Sequence, residues 1–246
     1  MSSMFRSCLI AVGLTLVVLP IRSSLFAEEA SDRAAAPVKA SMLFGHVFRN
    51  VDDDAFILSG SKWRQKIIPV CWENPEGTPS KDLDSIQAAI TQTWQANSCL
   101  SFTNWKKCTP EKKGIRILIS DRGPHVKGLG TQIDGVANGM VLNFTYKTWG
   151  RSCLDSEESR LLCNKSIAVH EFGHALAFAH EQNRWDAPGE CAKKRQGTDG
   201  DILLTKYAPD SAMNYCNPIY NNDGILASSD IEGLQKAYCK PGGNLR

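Results

Sequence analysis

The chain has 246 residues, 42% of them hydrophobic and 22% charged, with 19 Gly and 11 Pro. That is globular composition, and it excludes collagen-like, coiled-coil and largely disordered chains. The formal net charge of +2, with no basic block, gives no electrostatic reason to expect a nucleic acid or an anionic membrane as partner.

Arg6 precedes an apolar run over residues 8–21, which Arg22, Ser23 and Ser24 follow. This is the pattern of a secretory signal peptide over residues 1–27, with cleavage expected after Ala27. The run of 14 residues is shorter than the roughly 20 needed to span a bilayer, and no later segment is apolar enough to anchor the chain. Cleavage removes Arg6 and Arg22 from the 28 basic residues and none of the 26 acidic ones, so the mature chain has no net charge. The expected location is extracellular, or periplasmic in a Gram-negative host. Beyond Cys8 of the leader stand Cys71, Cys99, Cys108, Cys153, Cys163, Cys191, Cys216 and Cys239. An even number without a CxxC pair, in an exported chain, points to disulfides rather than to thiolate metal ligands. Cys153 with Cys163 suits a local loop closure, and spacing does not choose among the other pairings.

Residues 28–62 open Ala-rich and charged and show no sustained periodicity; they are expected to form an N-terminal arm or pro-segment, or equally an extension packed on the domain, with the domain proper over residues 63–246. Ile67, Ile68, Val70 and Trp72 predict a strand, which Pro69 places at a sheet edge or a strand start. Leu83, Ile86, Ile90 and Trp94 share one face of a helix predicted over residues 81–96, with Asp82 and Asp84 in its first turn. Ile115, Ile117 and Ile119 alternate with Arg116 and Leu118 in a second strand, and residues 140–144 form a further short apolar run. Near the end, Ser229 and Glu232 have capping-box spacing, ahead of a helical face carrying Ile231, Leu234 and Tyr238.

The chemistry concentrates in HEFGHALAFAH, which holds three of the five histidines, His170, His174 and His180. His170 and His174, four apart on a helix, present both imidazoles on one face, where two nitrogens can bind one metal. Glu171 is rotated about 100° from His170, within reach of a metal-activated water without being a ligand itself. His180 comes six residues after His174, about 240° from the required face on an unbroken helix, so the helix must end between them. Three imidazoles with an open position make a catalytic zinc site, whereas structural sites are closed by four protein ligands. One zinc ion per chain is expected. It would lower the pKa of water to about 7, with Glu171 as the base that takes the proton and passes it to the leaving amine. His46 and His125 lack ligand spacing and read as ordinary polar histidines.

HEFGHALAFAH resembles the metzincin signature HExxHxxGxxH, and its continuation resembles the astacin pattern HExxHxxGFxHExxRxDRD. His170, Glu171, His174, Phe178, His180, Glu181, Arg184 and Asp186 match; Ala177 replaces Gly, and Ala187-Pro188 replace the closing Arg-Asp. Ala in the backbone conformation that this glycine serves would cost on the order of 1 kcal/mol. Further on, Ser211-Ala212-Met213-Asn214-Tyr215 is similar to the Met-turn that runs beneath the metal in these enzymes. The resemblance implies that Met213 supports the site and that Tyr215 ligates zinc at rest and swings to stabilise the oxyanion. It also implies a contact of Glu181 with the mature N-terminus, and roles for Arg184 and Asp186 as ion-pair partners or substrate contacts. The implied fold is α+β: an upper subdomain of twisted sheet and two long helices above a cleft, and a lower, irregular subdomain carrying the Met-turn and a final helix.

These residues lead to a secreted zinc endopeptidase acting on proteins or peptides. Two other readings use the same residues: a different secreted zinc hydrolase, for instance one cutting the peptide stems of a cell wall, and a binding module in which Ala177 has misplaced His180. Cleavage preference and oligomeric state are not encoded in any local pattern.

Overall fold

Alternating apolar residues build a five-stranded sheet, in the order β3-β2-β4-β6-β5, in a computed structural model that describes residues 55–239. The leader, residues 28–54 of the expected arm, and His46 lie outside the described residues. The strands are β2 (Ile67–Trp72), β3 (Ser101–Lys107), β4 (Ile115–Ile119), β5 (His125–Val126) and β6 (Met140–Leu142). All pair in parallel except β5, which runs antiparallel to β6.

Pro69 does not mark an edge, because β2 lies between β3 and β4. Pairing with β4 begins only at Val70, so the residue without an N–H sits just outside that ladder. There Gly114 (φ +98) presses against the Pro69 carbonyl, which a Cβ would approach to 2.0 Å.

The predicted helix over residues 81–96 is α1 (Ser80–Ile90), continued by a π turn over Thr91–Gln95. Ile86, Ile90 and Trp94 are fully buried on its inner face, and Leu83 is partly covered. The long helix α2 (Glu157–Ala175) starts at Ser156, whose Oγ accepts the Ser159 N–H at 3.0 Å, with Glu157 and Glu158 in the first turn where the helix dipole favours them. From Asn164 to its end α2 is buried except at Lys165. Beyond it the chain is irregular, with short 3-10 turns, the one-turn α3 (Gly189–Ala192), β7 (Ile202–Leu203) and α4 (Ser228–Tyr238). Among the described residues no helix is long and apolar enough to cross a membrane.

Residues 55–62, assigned to the arm by their composition, are packed within the body of the protein. Strand β1 (Phe56–Ile57) pairs antiparallel with β7, and on its other side Ile57 bridges to Phe178. The packed body thus includes residues of the expected arm, and a stretch as short as Ala-Phe-Ile-Leu has too few residues to show a period.

The α4 cap also differs from expectation. The N-cap is Ala227, two residues before Ser229, so the helix begins at Ser228, and Asp230 rather than Glu232 accepts the N-cap N–H, at 3.0 Å. Ser229 lies inside the helix, and Glu232 instead pairs with Lys236 at 2.8 Å.

Four disulfides join Cys71–Cys108, Cys99–Cys239, Cys153–Cys163 and Cys191–Cys216. Asn143-Phe-Thr145 and Asn164-Lys-Ser166 have the spacing of the glycosylation sequon. Both asparagines are buried, with Asn143 accepting two backbone N–H groups and Asn164 the Tyr146 hydroxyl.

Candidate metal centre

The end of α2 sets the path from His174 to His180. Ala177 adopts φ +70, the left-handed conformation that ends helices in a Schellman motif. The Phe178 N–H reaches back to the Gly173 carbonyl at 3.0 Å and the Ala177 N–H to the His174 carbonyl at 2.9 Å. Every remaining terminal carbonyl has a donor too: Ala175 takes the Trp63 indole N–H at 2.7 Å, Leu176 the Tyr238 hydroxyl at 2.9 Å, and Ala177 the Leu58 N–H at 2.9 Å. The Ala177 methyl fits because Gly130 lies opposite; a Cβ there would meet it at 2.8 Å. Replacing Gly by Ala in the signature thus leaves the turn intact, and His180 follows in extended conformation.

The three imidazoles converge. His170 Nδ1 lies 2.8 Å from the Ala212 carbonyl, His174 Nδ1 2.8 Å from that of Phe178, and His180 Nδ1 3.0 Å from that of Gln196. A carbonyl only accepts, so each Nδ1 carries the proton and each Nε2 a lone pair. The Nε2 of His180 lies 3.2 Å from that of His170 and 3.1 Å from that of His174. Lone pairs aimed at one another at this separation repel unless a cation lies among them. Nitrogens about 2.0–2.1 Å from a tetrahedral zinc are about 3.3 Å apart, so the donor set fits zinc. Burial keeps all three imidazoles neutral, the ligating form: the pKa falls to about 3 for His170, to about 4 for His174, and well below the ordinary value for His180, with neighbouring imidazoles adding to burial at His170 and His180.

Glu171, Met213 and Tyr215 surround this cluster. Glu171 is buried with Oε2 unpartnered among the described residues, and burial pushes its carboxyl up to about 8. An orphaned buried oxygen beside a ligand is an acceptor left for something outside the chain. Tyr215 stacks on His170 at 5.1 Å and packs against His180 at 4.5 Å between ring centroids; burial holds its phenol protonated. Met213 lies under the helical histidines. A Cβ on Gly173 would come within 2.3 Å of its Sδ and 3.1 Å of the Trp94 ring, so glycine between the two ligands is what admits both.

Several positioning residues carry no motif. Asn183 clamps the strand-like segment above His180, donating to the Gln196 carbonyl at 2.8 Å and accepting the Gln196 N–H at 3.0 Å. Gln182 accepts the Tyr215 N–H at 3.0 Å. Buried Asp230 takes the Ser211 hydroxyl at 2.6 Å and the Ala212 N–H at 2.9 Å, fixing the turn whose Ala212 carbonyl orients His170. The one signal available was that Glu181, Gln182, Asn183 and Arg184 form a polar run directly after a ligand; all four are buried.

Glu181 and Arg184 turn out to face each other at 3.4 Å. Glu181 also accepts the Ala208 N–H at 2.9 Å, and Arg184 holds both oxygens of Asp186, at 2.8 and 2.7 Å, and the Thr205 carbonyl at 2.8 Å. Among the described residues this is an internal network. Trp185 stands 67% exposed, edge-on to Phe56, and Trp149 lies against Gly123. His125 is exposed and apart from the cluster, its Nδ1 on the Gly123 carbonyl. Tyr220, which no pattern marked, places its phenol in the electrostatic reach of Glu171.

No family model and no curated protein matches the chain in sequence. In structure it is similar to myroilysin, with a TM-score of 0.51 and 16% identity, covering 76% of this chain and 99% of that one. It is also similar to high choriolytic enzyme 1, a hatching enzyme zinc-protease of the medaka Oryzias latipes, with a TM-score of 0.47 and 18% identity, covering 72% and 94%. The likeness to myroilysin shows the fold alone, an α+β architecture of the class that the histidine signature implied.

Proposed function

We propose that the protein is an exported zinc-dependent endopeptidase. One observation carries the reading: three neutral imidazole nitrogens converge beside a buried carboxylate oxygen with no partner in the described chain. His170, His174 and His180 would hold one zinc ion, with Tyr215 as a further ligand. When bound, zinc supplies a Lewis acid that polarises the scissile carbonyl and acidifies water. Glu171 accepts the proton of the attacking water and returns it to the leaving amine, so that one group serves as base and then as acid. Tyr215, held protonated, donates its O–H to the developing oxyanion. Trp63, Tyr238 and Leu58 keep the end of α2 fixed while this happens. The leader over residues 1–27 and the four disulfides support export.

The test compares wild type with Glu171→Ala on casein and on cell-wall peptide stems, with zinc measured in parallel. Zinc near one per chain in both proteins, and chelator-sensitive casein cleavage in wild type alone, is the expected result. Cleavage of peptide stems only would replace the substrate class. Zinc without turnover on either would leave a binding module, although the ground for that reading is weakened now that Ala177 delivers His180 to the cluster.

A further inference from the structure

The Cys191–Cys216 disulfide joins the two segments that hold the third imidazole and the tyrosine. Cys216 directly follows Tyr215, whose ring packs on His170 and His180. Cys191 is the third of the four residues of the short helix α3, and from it the chain runs through the bond of the Lys194 N–H to the Cys191 carbonyl, at 2.8 Å, to Gln196 and Gly197. The Gln196 carbonyl accepts His180 Nδ1 at 3.0 Å. Gly197 (φ +73) lies over the same ring, where a Cβ would stand 3.5 Å from Nδ1.

Without the bridge, residues 191–200 have few other ties. Their side chains from Lys193 to Asp199 are exposed, and Lys193 and Arg195 make only local ion pairs with Glu190 and Asp199. Besides the His180 bond to Gln196 and the Tyr207 hydroxyl on Cys191 Sγ at 3.1 Å, the inward bonds are those of Asn183 to Gln196 and to Asp199. At the bridge itself, Asn214 and Tyr207 close a small half-buried network: Asn214 Nδ2 donates to the Tyr207 hydroxyl at 3.0 Å and Asn214 Oδ1 accepts the Cys216 N–H at 2.9 Å. The crosslink therefore fixes an exposed loop to the Met-turn at the point where each borders the imidazole cluster.

We infer that Cys191 and Cys216 are positioning residues of the metal centre, whose bridge holds His180 and Tyr215 in ligating register. The inference rests on the zinc reading above. Partners that orient a ligand from outside typically change metal affinity 10- to 100-fold, and the effect here is expected in that range. A staple that served only folding would lower stability and leave the metal unaffected.

The experiment compares wild type, Cys191→Ser/Cys216→Ser and, as control, Cys71→Ala/Cys108→Ala. The two bridges span 25 and 37 residues, so their loop-closure contributions are similar and comparable losses of Tm are expected. Zinc affinity, read by competition with a chromophoric chelator, is expected to fall at least about tenfold in the first variant only, with an altered visible spectrum after cobalt substitution. Unchanged affinity and spectrum in that variant, or equal changes in both, would overturn the inference. A wild type that takes up no zinc overturns the site itself, which separates the two failures.

A second measurement needs no variant. Wild-type protein, zinc-loaded or metal-free, is equilibrated in glutathione buffers of graded ratio, and the thiols present at equilibrium are alkylated and mapped. Two glutathione thiols reduce the S–S bond by exchange, giving oxidised glutathione, with their protons going to the two protein thiols. By linkage, a bridge that favours zinc binding is itself stabilised by zinc to the same extent. Zinc is expected to shift the Cys191–Cys216 equilibrium toward the disulfide at least about tenfold and to leave that of Cys71–Cys108 unchanged; equal midpoints with and without zinc would overturn the inference.

Discussion

Tyr238→Phe removes one oxygen atom, which bonds the carbonyl at the end of α2 and also takes a hydrogen bond from the Trp63 backbone. The hydroxyl donates to the Leu176 carbonyl at 2.9 Å, with Leu176 0% and Tyr238 3% exposed. Leu176 caps α2, so its carbonyl has no helical donor, and no water reaches a group so enclosed. Deleting the donor forfeits a net hydrogen bond and leaves a buried acceptor unsatisfied, which together cost about 2 kcal/mol. The phenylalanine ring fills the same space, so no cavity adds to this. For a domain of this size the loss corresponds to a fall in Tm of about 4–8 °C. The assay is equilibrium urea unfolding of both proteins with all disulfides intact, with zinc binding measured separately. Zinc affinity is expected to stay near that of wild type, because the bonds from Ala177 and Phe178 to the preceding turn and the Phe178 carbonyl on His174 remain. A destabilisation below about 0.5 kcal/mol, the range of an ordinary surface change, would show that the carbonyl finds another partner. Loss of zinc at unchanged stability would show that the hydroxyl acts on the site and not on the helix end.

Tyr215→Phe is expected to lower kcat about 100-fold, with a smaller change in KM, since removing one oxyanion donor typically costs 10²–10³; steady-state kinetics on a fluorogenic peptide checks it, and an unchanged kcat would remove Tyr215 from the reaction. Acid sensitivity should trace in part to Glu73, which receives Arg116 Nε and Nη2 at 2.9 and 3.0 Å. That hydrogen bonding holds the Glu73 carboxyl below its ordinary 4.5, so the unfolded chain takes up the proton first. The stabilisation is present above the ordinary value and is lost as pH falls through the folded one. Glu73→Gln should therefore be about 2 kcal/mol less stable near neutral pH, having lost a charge-assisted pair, and show a shallower decline on acidification; parallel stability curves for the two proteins would refute the assignment.

The readable part of this protein was local. Four residues on one helical face specify α1, and alternation specifies β2 and β4, because both periods are properties of the backbone over a few residues. The metal ligands were legible for the same reason: the spacing of His170 and His174 is helical geometry, and the offset of His180 demands a helix end before it. Even the exception at Ala177 was legible as a turn, although what accommodates its methyl, the bare Gly130, was not.

What the tertiary structure decided lies in contacts between distant segments. Trp63 caps a carbonyl 112 residues away, and His170 is oriented by one 42 residues away. The pairing of Cys191 with Cys216 and the interior position of β2 depend on the same kind of meeting, as does the strand role of Phe56 and Ile57 beside the turn before His180. None of these leaves a periodic trace, because each is fixed by which surfaces meet after collapse and not by the preference of any one segment. The sequence thus determined which residues are the candidates for the chemistry, since the spacing of His170 and His174 is set by the helix itself. The fold decided their exactitude: each Nδ1 needs a carbonyl at hydrogen-bond distance, and for His170 and His180 only a remote segment of the packed chain brings one there.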